Sequence, residues 1–499
     1  MDRRARTHHN SLQPICRLAP SLLSDIFTFL ILPTPALCHA NSWITITFVC
    51  SHFRRVALTS PLLWAHIAFP LDRTLRETMV VRAQTVPLRL DALWSVGPGD
   101  APFISTHIGR AAALRLVVDR HQNNVLMRSL GGRAAPVLQS LDFSMTNAAS
   151  DAPALPAGFL ADGAPRLRHL RLQTKSLDVW ACPLLLRDLR SLDIMYQSDM
   201  PKLPSVDAVL GALSGLAHCL VRLSLDIGNP PADTEQAQGS KTSEMVNLPL
   251  LTSMFFRTRM TRGASLLQYT ALPHTATLRI ELVHSSEAEA ASLEATLPKF
   301  LNWPRIQAYG GSFAPTAFKR ISVAPSEPAQ RAVNIVIKAW HSLRGTGEPD
   351  SSLHLDALSV WCRRRVYAPI PPLAPAVLDA LATTQLEELV IDEVHRPAEA
   401  DGERDIARLS QAMKKITGLR VLEMHGSITI AIAGLAFEEL FPELEVLRLQ
   451  AVDDAAAVAA RESALAGYRA WAAARKEAGH AVVLELDATW EAESVSLVG

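Results

Sequence analysis

The chain has few cysteines and no long apolar run, and both absences restrict the classes of protein that fit the sequence. Six cysteines in 499 residues show no spacing of a disulfide framework, which favours a reducing compartment, the cytoplasm or the nucleus. No segment approaches the ~18 consecutive apolar residues that a membrane-spanning helix needs. The sequence also contains no Asn-x-Ser/Thr glycosylation site. We therefore expect no membrane partner.

The chain also lacks an excess of either charge, because 49 basic residues balance 49 acidic ones. A nucleic-acid binder needs a dense basic surface, so we expect no nucleic-acid partner. Catalytic signatures are missing as well: there is no phosphate-binding glycine loop, HExxH motif, CxxC pair or nucleophile elbow. We predict a protein that is not an enzyme and needs no cofactor.

A zinc site is an alternative interpretation of Cys38-His39 together with Cys50 and His52. Cys50 falls on the apolar face of the helix predicted for this segment, whereas His52 points away from that face. We therefore predict no metal site.

Three short amphipathic helices are predicted between Leu18 and Ile67. Pro20 suits a first helical position, and the third helix opens at Ser60-Pro61. Apolar residues recur on one face of the first helix, at Leu22, Leu23, Ile26, Phe27 and Leu30. The second helix repeats the pattern with Ile46, Val49, Cys50, Phe53, Val56 and Ala57. A unit of about 50 residues is barely large enough for its own core, so we expect it to share apolar surface with a partner or with the rest of the chain.

This segment resembles an F-box of the form common in fungal F-box-like proteins. The resemblance is carried by Leu18, Pro20, Leu22, Leu23, Ile26 and Phe27, by the tract from Val49 to Ala57, and by Ser60-Pro61-Leu62-Leu63-Trp64 with Ile67. It implies docking on a Skp-type adaptor and, through it, on a cullin. The adaptor-binding residues that it implies are Pro20, Leu22, Leu23, Ile26, Phe27, Val49, Phe53, Leu62 and Trp64. The pattern does not separate those that face the partner from those in the internal core.

A secretory signal peptide is an alternative for the same segment. Arg3, Arg4 and Arg6, the apolar run 26–32 and the small-residue site near Ala40 imitate its three regions. The apolar run is short and the basic residues lie far from it, which disfavours this alternative.

A motif of the form Leu-x-x-Leu-x-Leu returns along the chain after residue 85, mostly at intervals of 22 to 33 residues. Its strong copies begin at Leu138, Leu167, Leu189, Leu220, Leu251, Leu355, Leu386, Leu419 and Leu444, and weaker copies surround Leu88, Leu114, Leu278, Phe318 and Leu484. The period of two predicts a short strand with one buried face. Helices are predicted in between, as at 206–216, 406–416 and 455–478. One strand and one helix per repeat predict a parallel α/β solenoid; an ordinary α/β domain is the alternative.

These repeats resemble degenerate leucine-rich repeats, because the Asn or Cys that usually follows the strand is missing from most copies. The predicted fold is therefore α/β, with a small N-terminal three-helix F-box followed by an irregular leucine-rich-repeat solenoid. We predict a disordered tail at 1–15, the F-box-like domain at 16–70 and the solenoid at 71–499. Polar loops are expected near 228–246, 344–352 and 395–405.

A protein substrate would bind the strand face of the solenoid, where residues between the leucines project. The candidates are Arg168, Arg171, Arg190, Arg222, Glu423 and Arg448. The alternative is that these charges are merely solvated.

The resulting hypothesis is the substrate-recognition subunit of a Skp–cullin–F-box type ubiquitin ligase. The alternative is a leucine-rich-repeat scaffold, unrelated to a ligase, whose N-terminal helices cap the solenoid. The exposure of apolar side chains on the N-terminal helices distinguishes the two hypotheses. A docking module leaves these side chains uncovered, whereas a cap buries them against the first strands.

Overall fold

The structure is a computed structural model of the whole chain. It describes residues 3–30, 42–69, 71–95, 99–119, 128–146, 163–174, 183–186, 188–196, 205–226, 245–258, 269–273, 276–283, 386–393, 413–426, 441–450 and 458–486, a few single residues, and the strands given below between 305 and 363. The polar loops expected near 344–352 and 395–405 lie outside the described residues, as does the loop near 228–246 except for its last two residues.

The chain begins with a helix, α1 (Arg3–Leu12), followed by a 3-10 turn at Pro14–Arg17. The prediction of a disordered tail at 1–15 is therefore wrong. Arginine, alanine and leucine are favourable helix residues, and Ser11 Oγ donates to the His8 carbonyl at 2.7 Å within the last turn.

Four helices rather than three form the next segment: α2 (Pro20–Thr28), α3 (Ile46–Val49), α4 (Ser51–Thr59) and α5 (Pro61–Trp64). The predicted second helix is interrupted at Cys50, whose backbone is extended at φ −156° and ψ 168°. Cys50 Sγ accepts the backbone N–H of Phe53 at 3.4 Å, so it caps the start of α4. Pro20 and Pro61 occupy first helical positions as predicted.

The chain divides into two compact units, residues 1–204 and 205–499. The first contains six strands, each parallel to the next: β1 (His66–Ala68), β2 (Leu88–Ser95), β3 (Ala111–Asp119), β4 (Ser140–Thr146), β5 (His169–Thr174) and β6 (Ser191–Tyr196). Two helices lie between the early strands, α6 (Arg73–Arg82) and α7 (Asp100–His107).

The second unit opens with α8 (Val206–Leu216), capped by Ser205, whose Oγ accepts the Ala208 N–H at 3.1 Å. Its main sheet contains β7 (Arg222–Asp226), β9 (Ser253–Thr258), β11 (Thr277–Val283), β14 (Arg320–Pro325), β15 (Asn334–Trp340), β16 (Leu358–Arg363), β17 (Glu388–Glu393), β18 (Val421–Gly426), β19 (Val446–Gln450) and β20 (Val483–Leu486). Their spatial order is β7-β9-β11-β16-β15-β14-β17-β18-β19-β20. Helix α9 (Val458–Glu477) precedes the last strand.

The leucine motif predicted the strands correctly, because every copy of the motif, strong or weak, overlaps a strand of the structure. Where side chains are described, the paired leucines are buried, as at Leu170 and Leu172 in β5 and at Leu422 and Met424 in β18. The helices expected at 206–216 and 455–478 are confirmed as α8 and α9. Most of the helix expected at 406–416 lies outside the described residues. The mixed α/β class with parallel sheets is thus confirmed.

Two features depart from a simple strand-and-helix repeat. Strand β15 lies between β14 and β16 and is antiparallel to both. A second, four-stranded sheet contains the short strands β8 (Val246–Asn247), β10 (Thr270–Pro273), β12 (Arg305–Ile306) and β13 (Phe313–Ala314). Neither was predicted, because neither contains a full copy of the leucine motif.

Candidate functional site

The helical segment α2–α5 has a small aromatic core. The Phe27 ring meets Phe53 edge-on with centroids 5.1 Å apart, and Trp43 meets Trp64 in the same way at 5.0 Å. Trp64 Nε1 donates to the Ala57 carbonyl at 2.8 Å, which satisfies the indole N–H inside the core. These contacts pack α2, α4, α5 and the 3-10 turn at Ser42–Thr45 against one another.

Large apolar side chains are exposed on the outer surface of the same helices. Fourteen large apolar residues are exposed among those whose side chains are described, and nine of them lie within residues 12–62. Single exposed apolar residues are ordinary, but such a concentration on one small segment makes it the candidate interaction surface of the chain. We call the exposed set on α2, α3 and α5 the apolar face: Leu22, Ile26, Phe29, Leu30, Phe48, Val49 and Leu62.

The structure separates the predicted adaptor-binding residues into two groups. Pro20, Leu22, Ile26, Val49 and Leu62 are exposed. The other four form the internal core, which the sequence pattern alone did not separate from the exposed set: Leu23, Phe27, Phe53 and Trp64. On α2 the two groups follow from helix geometry, because residues four apart share one side of a helix.

The most exposed members of the apolar face were not predicted. Phe48 is 74% exposed and Phe29 is 71% exposed. Phe29 continues the stripe of Leu22 and Ile26 at the next helical turn, so its spacing was a usable signal. Phe48 had no such signal, because its orientation depends on the break at Cys50.

Positive charge accompanies the apolar face. Residues 1–69 contain six arginines and two aspartates, a net charge of +4, whereas the whole chain is neutral. Arg17, Arg54 and Arg55 are exposed. A partner of this segment is therefore favoured electrostatically if its own surface is acidic.

The helices continue into the sheet without a linker. Strand β1 begins two residues after α5 ends, and His66 of β1 lies beside Arg89 of β2 in parallel register. The guanidinium of Arg82 on α6 lies over the Trp64 ring, 4.3 Å from its centroid. His66 Nε2 lies 3.5 Å from Asp91 Oδ2, a buried carboxylate on β2. The helical segment is thus held in a defined orientation to the first strands.

A row of alternating charges crosses the first sheet. It consists of the residue between the paired apolar positions on each of five neighbouring strands, which register places side by side: Asp91, Arg115, Asp142, Arg171 and Asp193. We call it the charged row. Arg115 Nε lies 3.3 Å from Asp142 Oδ2, and Arg171 Nε lies 3.2 Å from Asp193 Oδ2.

Burial raises the pKa of Asp142, and the neighbouring carboxylates Asp91 and Asp193 raise it further. The guanidiniums of Arg171 and Arg115 act in the opposite direction without cancelling the effect of burial. The charged row is therefore electrostatically coupled, and two of its neighbouring pairs form ion pairs, Arg115 with Asp142 and Arg171 with Asp193.

The predicted substrate-binding residues occupy three different positions of the motif. Arg168 and Arg190 directly follow the first leucine, Arg222 stands one residue later, and the central position holds Arg171, Glu423 and Arg448. Arg168 donates to the Asp188 carbonyl at 3.1 Å. These residues therefore do not form one row.

The last strands repeat the pairing of charges. Arg448 Nε lies 2.6 Å from Glu485 Oε2, and its guanidinium lies 3.7 Å from Glu423 Oε2. The hydrogen bond and the charge of Glu485 raise the pKa of Arg448, against the opposing effect of burial. Of the six predicted substrate contacts, the three at the central position thus form ion pairs with neighbouring strands: Arg171 with Asp193, Glu423 with Arg448, and Arg448 also with Glu485.

The prediction that there is no zinc site concerns four residues, of which the structure describes two. Cys38 and His39 lie outside the described residues, and Cys50 and His52 do not belong to any group of three close metal-ligating side chains in the described part of the chain. In that part, too, no helix combines the length and the apolarity that a bilayer crossing requires.

Comparison with known proteins assigns no family. No protein-family model matches the chain, and a search of curated proteins finds no significant match.

Proposed function

We propose that the chain is the substrate-recognition subunit of a Skp–cullin–F-box type ubiquitin ligase. In this proposal the helices α2–α5 form an F-box that docks on a Skp-type adaptor. The strand repeats form an irregular leucine-rich-repeat solenoid that binds a protein target. The protein would act in the cytoplasm or nucleus by proximity and orientation rather than by bond chemistry of its own.

The apolar face is the observation that carries this proposal. Leu22 and Ile26 stand on the outside of α2, whereas Leu23 and Phe27 on the same helix fill the core. A segment that only capped the sheet would bury both pairs. The exposed pair favours a partner protein over a purely structural role.

Burial of the apolar face would contribute to the free energy of docking. Full burial of one Leu, Ile or Phe side chain stabilises by roughly 1.5–3 kcal/mol. The members of the face are already partly covered, so each contributes about half of that on docking. Seven such side chains supply about 5–10 kcal/mol, from which the cost of association is subtracted.

The direct junction between α5 and β1 supports a role in orientation. A ligase receptor has to hold its target at a fixed place relative to the adaptor, because a floating tether lowers the effective concentration of the reacting groups. Here the Arg82 contact with Trp64 and the pairing of β1 with β2 link the docking helices to the strands.

Adaptor capture by the full chain tests the proposal. The wild-type chain should bind a purified Skp-type adaptor, and Leu22→Asp combined with Ile26→Asp should weaken binding at least about 100-fold, because burying carboxylates without partners costs several kcal/mol. Both side chains are already exposed, so the folded state should tolerate the change. Equilibrium binding measured by interferometry gives the comparison.

Val81→Asp is the matched control, because Val81 is 76% exposed on α6, outside the apolar face but in the same unit. It should bind like the wild type. If the double variant binds as tightly as the wild type while its unfolding curve is unchanged, the docking assignment is wrong.

The second candidate is a leucine-rich-repeat scaffold whose helices cap the repeats. It is favoured by Trp64 and Ile67, which are buried where the helical segment continues into the sheet. Failure of the folded wild-type chain to capture either the adaptor or an adaptor–cullin complex would support this candidate instead.

A further inference from the structure

The described residues around the starts of β4, β5 and β6 contain more positive than negative charge. They are 128–146, 163–174 and 188–196, with six arginines, three aspartates and no lysine or glutamate. Each of the three carboxylates already has an arginine partner. Asp142 and Asp193 are paired within the charged row, and Asp188 Oδ2 lies 3.7 Å from Arg168 Nη1. Positive charge is therefore left over here, although the chain as a whole is neutral.

Three of the six arginines have no acidic partner in the described part of the chain. Arg133, Arg166 and Arg190 are exposed, and none of them forms an ion pair with a described carboxylate. A fourth, Arg168, is partly exposed and shares its charge with the exposed Asp188. We call these four arginines the basic rim. Exposed guanidiniums whose charge is not compensated attract anionic groups and can bind a carboxylate through two hydrogen bonds.

The backbone holds two members of the basic rim side by side at one end of the first sheet. Arg168 directly precedes β5, and Arg190 directly precedes β6. The Arg190 backbone N–H donates to the Arg168 carbonyl at 2.8 Å. Because β5 and β6 are parallel, both arginines lie at the end where the strands begin.

A glycine lets the segments of the other two members approach each other. A Cβ atom at Gly163 would lie 2.5 Å from Ala134 Cα and 2.9 Å from the Arg133 carbonyl oxygen, so any larger residue would clash with that backbone. The Gly163 carbonyl also accepts the backbone N–H of Ala135. Arg166 follows Gly163 by three residues. The contact thus places Arg133 and Arg166 on neighbouring segments.

We propose that the basic rim binds an acidic segment of the protein target, a stretch of chain in which several Asp or Glu side chains lie close together. The inference rests on the proposed function only in calling the bound protein a target. The charged row on the strands beyond the rim is internally paired. Selectivity for negative charge therefore resides in the rim and not in the row.

A protein segment fits the basic rim better than a nucleic acid does. A nucleic-acid site needs a dense basic surface that neutralises many phosphates, whereas the rim has three uncompensated arginines. The carboxylates of Asp142 and Asp193, on the strands that follow the rim, would repel a phosphate backbone. In an extended peptide, alternate side chains project to the same side about 6.6 Å apart. A short segment with three carboxylates can therefore meet three guanidiniums.

Binding of a synthetic acidic peptide to the full chain tests the inference. The probe is a fluorescein-labelled peptide of four Glu-Ser repeats, and the same peptide with Gln in place of Glu is its neutral counterpart. At low ionic strength the wild type should bind the acidic peptide at least about tenfold more tightly than the neutral one, as measured by fluorescence anisotropy. Added salt should weaken this binding, because it screens exposed charges.

Alanine variants of the basic rim locate the binding site. Arg133→Ala, Arg166→Ala and Arg190→Ala should each weaken binding of the acidic peptide about two- to fivefold, and the triple variant should weaken it at least about tenfold. Arg55→Ala is the matched control, because it removes an exposed arginine of the same unit that lies outside the rim. It should bind like the wild type. All four side chains are exposed, so unfolding curves should match that of the wild type.

Charge reversal makes the test specific. Arg133→Glu, Arg166→Glu and Arg190→Glu combined should abolish binding of the acidic peptide and permit binding of a peptide with Lys in place of Glu. Equal affinity of the wild type for the acidic and neutral peptides would overturn the inference. So would unchanged affinity in the folded triple alanine variant, or tighter binding of a ten-nucleotide oligothymidine than of the acidic peptide.

The result is separate from the adaptor assay, because the apolar face lies on α2, α3 and α5, whereas the basic rim precedes β5 and β6 and adjoins the segment before β4. The triple alanine variant should capture the adaptor like the wild type. A wild-type chain that binds the acidic peptide but captures no adaptor would contradict the proposed function and support the inference about the rim.

Discussion

Arg171 on β5 lies with its Nε 3.2 Å from the Asp193 carboxylate on β6, while its own strand register places it beside Asp142 on β4. An arginine that the sequence suggests for substrate contact is thus held between two carboxylates of its own sheet. The alternation continues from Asp91 to Asp193, so the first sheet presents a nearly neutral stripe. Such a stripe favours no polyanion and no polycation, and any target recognised there must match both signs.

Reversing one charge in this row should destabilise the first unit. Arg171→Asp places three carboxylates on adjacent strands about 4.8 Å apart, and we expect a loss of about 1–2 kcal/mol in the free energy of unfolding, measured by urea denaturation at neutral pH. The loss should shrink at low pH as the carboxylates become protonated.

His169→Asp is the control for this reversal. It introduces a carboxylate on the same strand and face, but register places it between Ser140 and Ser191. We expect a loss below about 0.5 kcal/mol. Equal losses in the two variants would show that the charged row is not electrostatically coupled.

Asp142 should leave a signature in the pH dependence of stability. Its pKa in the folded protein is raised by burial above the ordinary value of 3.8, so the folded state binds the proton more tightly than the unfolded state. The stabilisation by this proton is complete below pH 3.8 and is lost as pH rises through the folded-state pKa.

In the wild type, the contribution of Asp142 to the free energy of unfolding falls with rising pH just above pH 3.8. Asp142→Asn should therefore remove this fall from the plot of stability against pH. Unfolding by urea at a series of pH values measures the slope. The same change at exposed Asp72, whose pKa is lowered by hydrogen bonds from the Thr74 backbone, should affect the curve with the opposite sign. A wild-type curve that Asp142→Asn leaves unchanged would contradict the role assigned to burial.

Substitution of the neighbouring residues Leu22 and Leu23 should affect different properties, adaptor binding in the first case and stability in the second. Leu23 is fully buried and Leu22 is 52% exposed. Leu23→Ala should cost about 2–5 kcal/mol of stability, whereas Leu22→Ala should change it by less than about 0.5 kcal/mol and should instead weaken adaptor capture. Thermal unfolding and binding measured on both variants make the comparison, and a stability loss of similar size in both would contradict the two-sided description of α2.

Arg475 should anchor the last helix. Its guanidinium donates to the Phe441 and Pro442 carbonyls at 2.5 and 2.7 Å, and its side chain is buried. Arg475→Met leaves both acceptors without this donor, so we expect a loss of about 1–3 kcal/mol and faster hydrogen exchange in α9. Arg469→Met, on the exposed side of the same helix, should have little effect; equal exchange rates in the two variants would exclude the anchor.

The strands were predictable because each contains its own signal. A Leu-x-Leu pair buries one side of a strand whatever its neighbours are, and the copies from Leu138 to Leu444 accordingly lie on strands in parallel pairs wherever a neighbouring copy is adjacent. The antiparallel insertion of β15 could not be predicted, since pairing direction depends on the path of the chain between strands. Helix α1 was missed because its sequence contains no apolar residues repeating at helical spacing.

The adaptor-binding site was predictable only in part, because exposure, like the direction of strand pairing, depends on more than the local pattern. Apolar spacing identified α2, but it did not distinguish Leu22 and Ile26 from Leu23 and Phe27, because all four lie within one broad apolar arc of the helix. Phe48 and Val49 are exposed next to the extended backbone at Cys50, and the spacing of apolar residues gave no sign of this break.

The sequence by itself determined the α/β class, the strand positions, the starts of α2 and α5, and the extents of α8 and α9 to within a few residues, since local period and proline placement decide these features. Only the tertiary structure decided which leucines face outward and which arginines are already paired. Those properties belong to pairs of residues that are distant in the chain, and the packing of strands and helices brings them together.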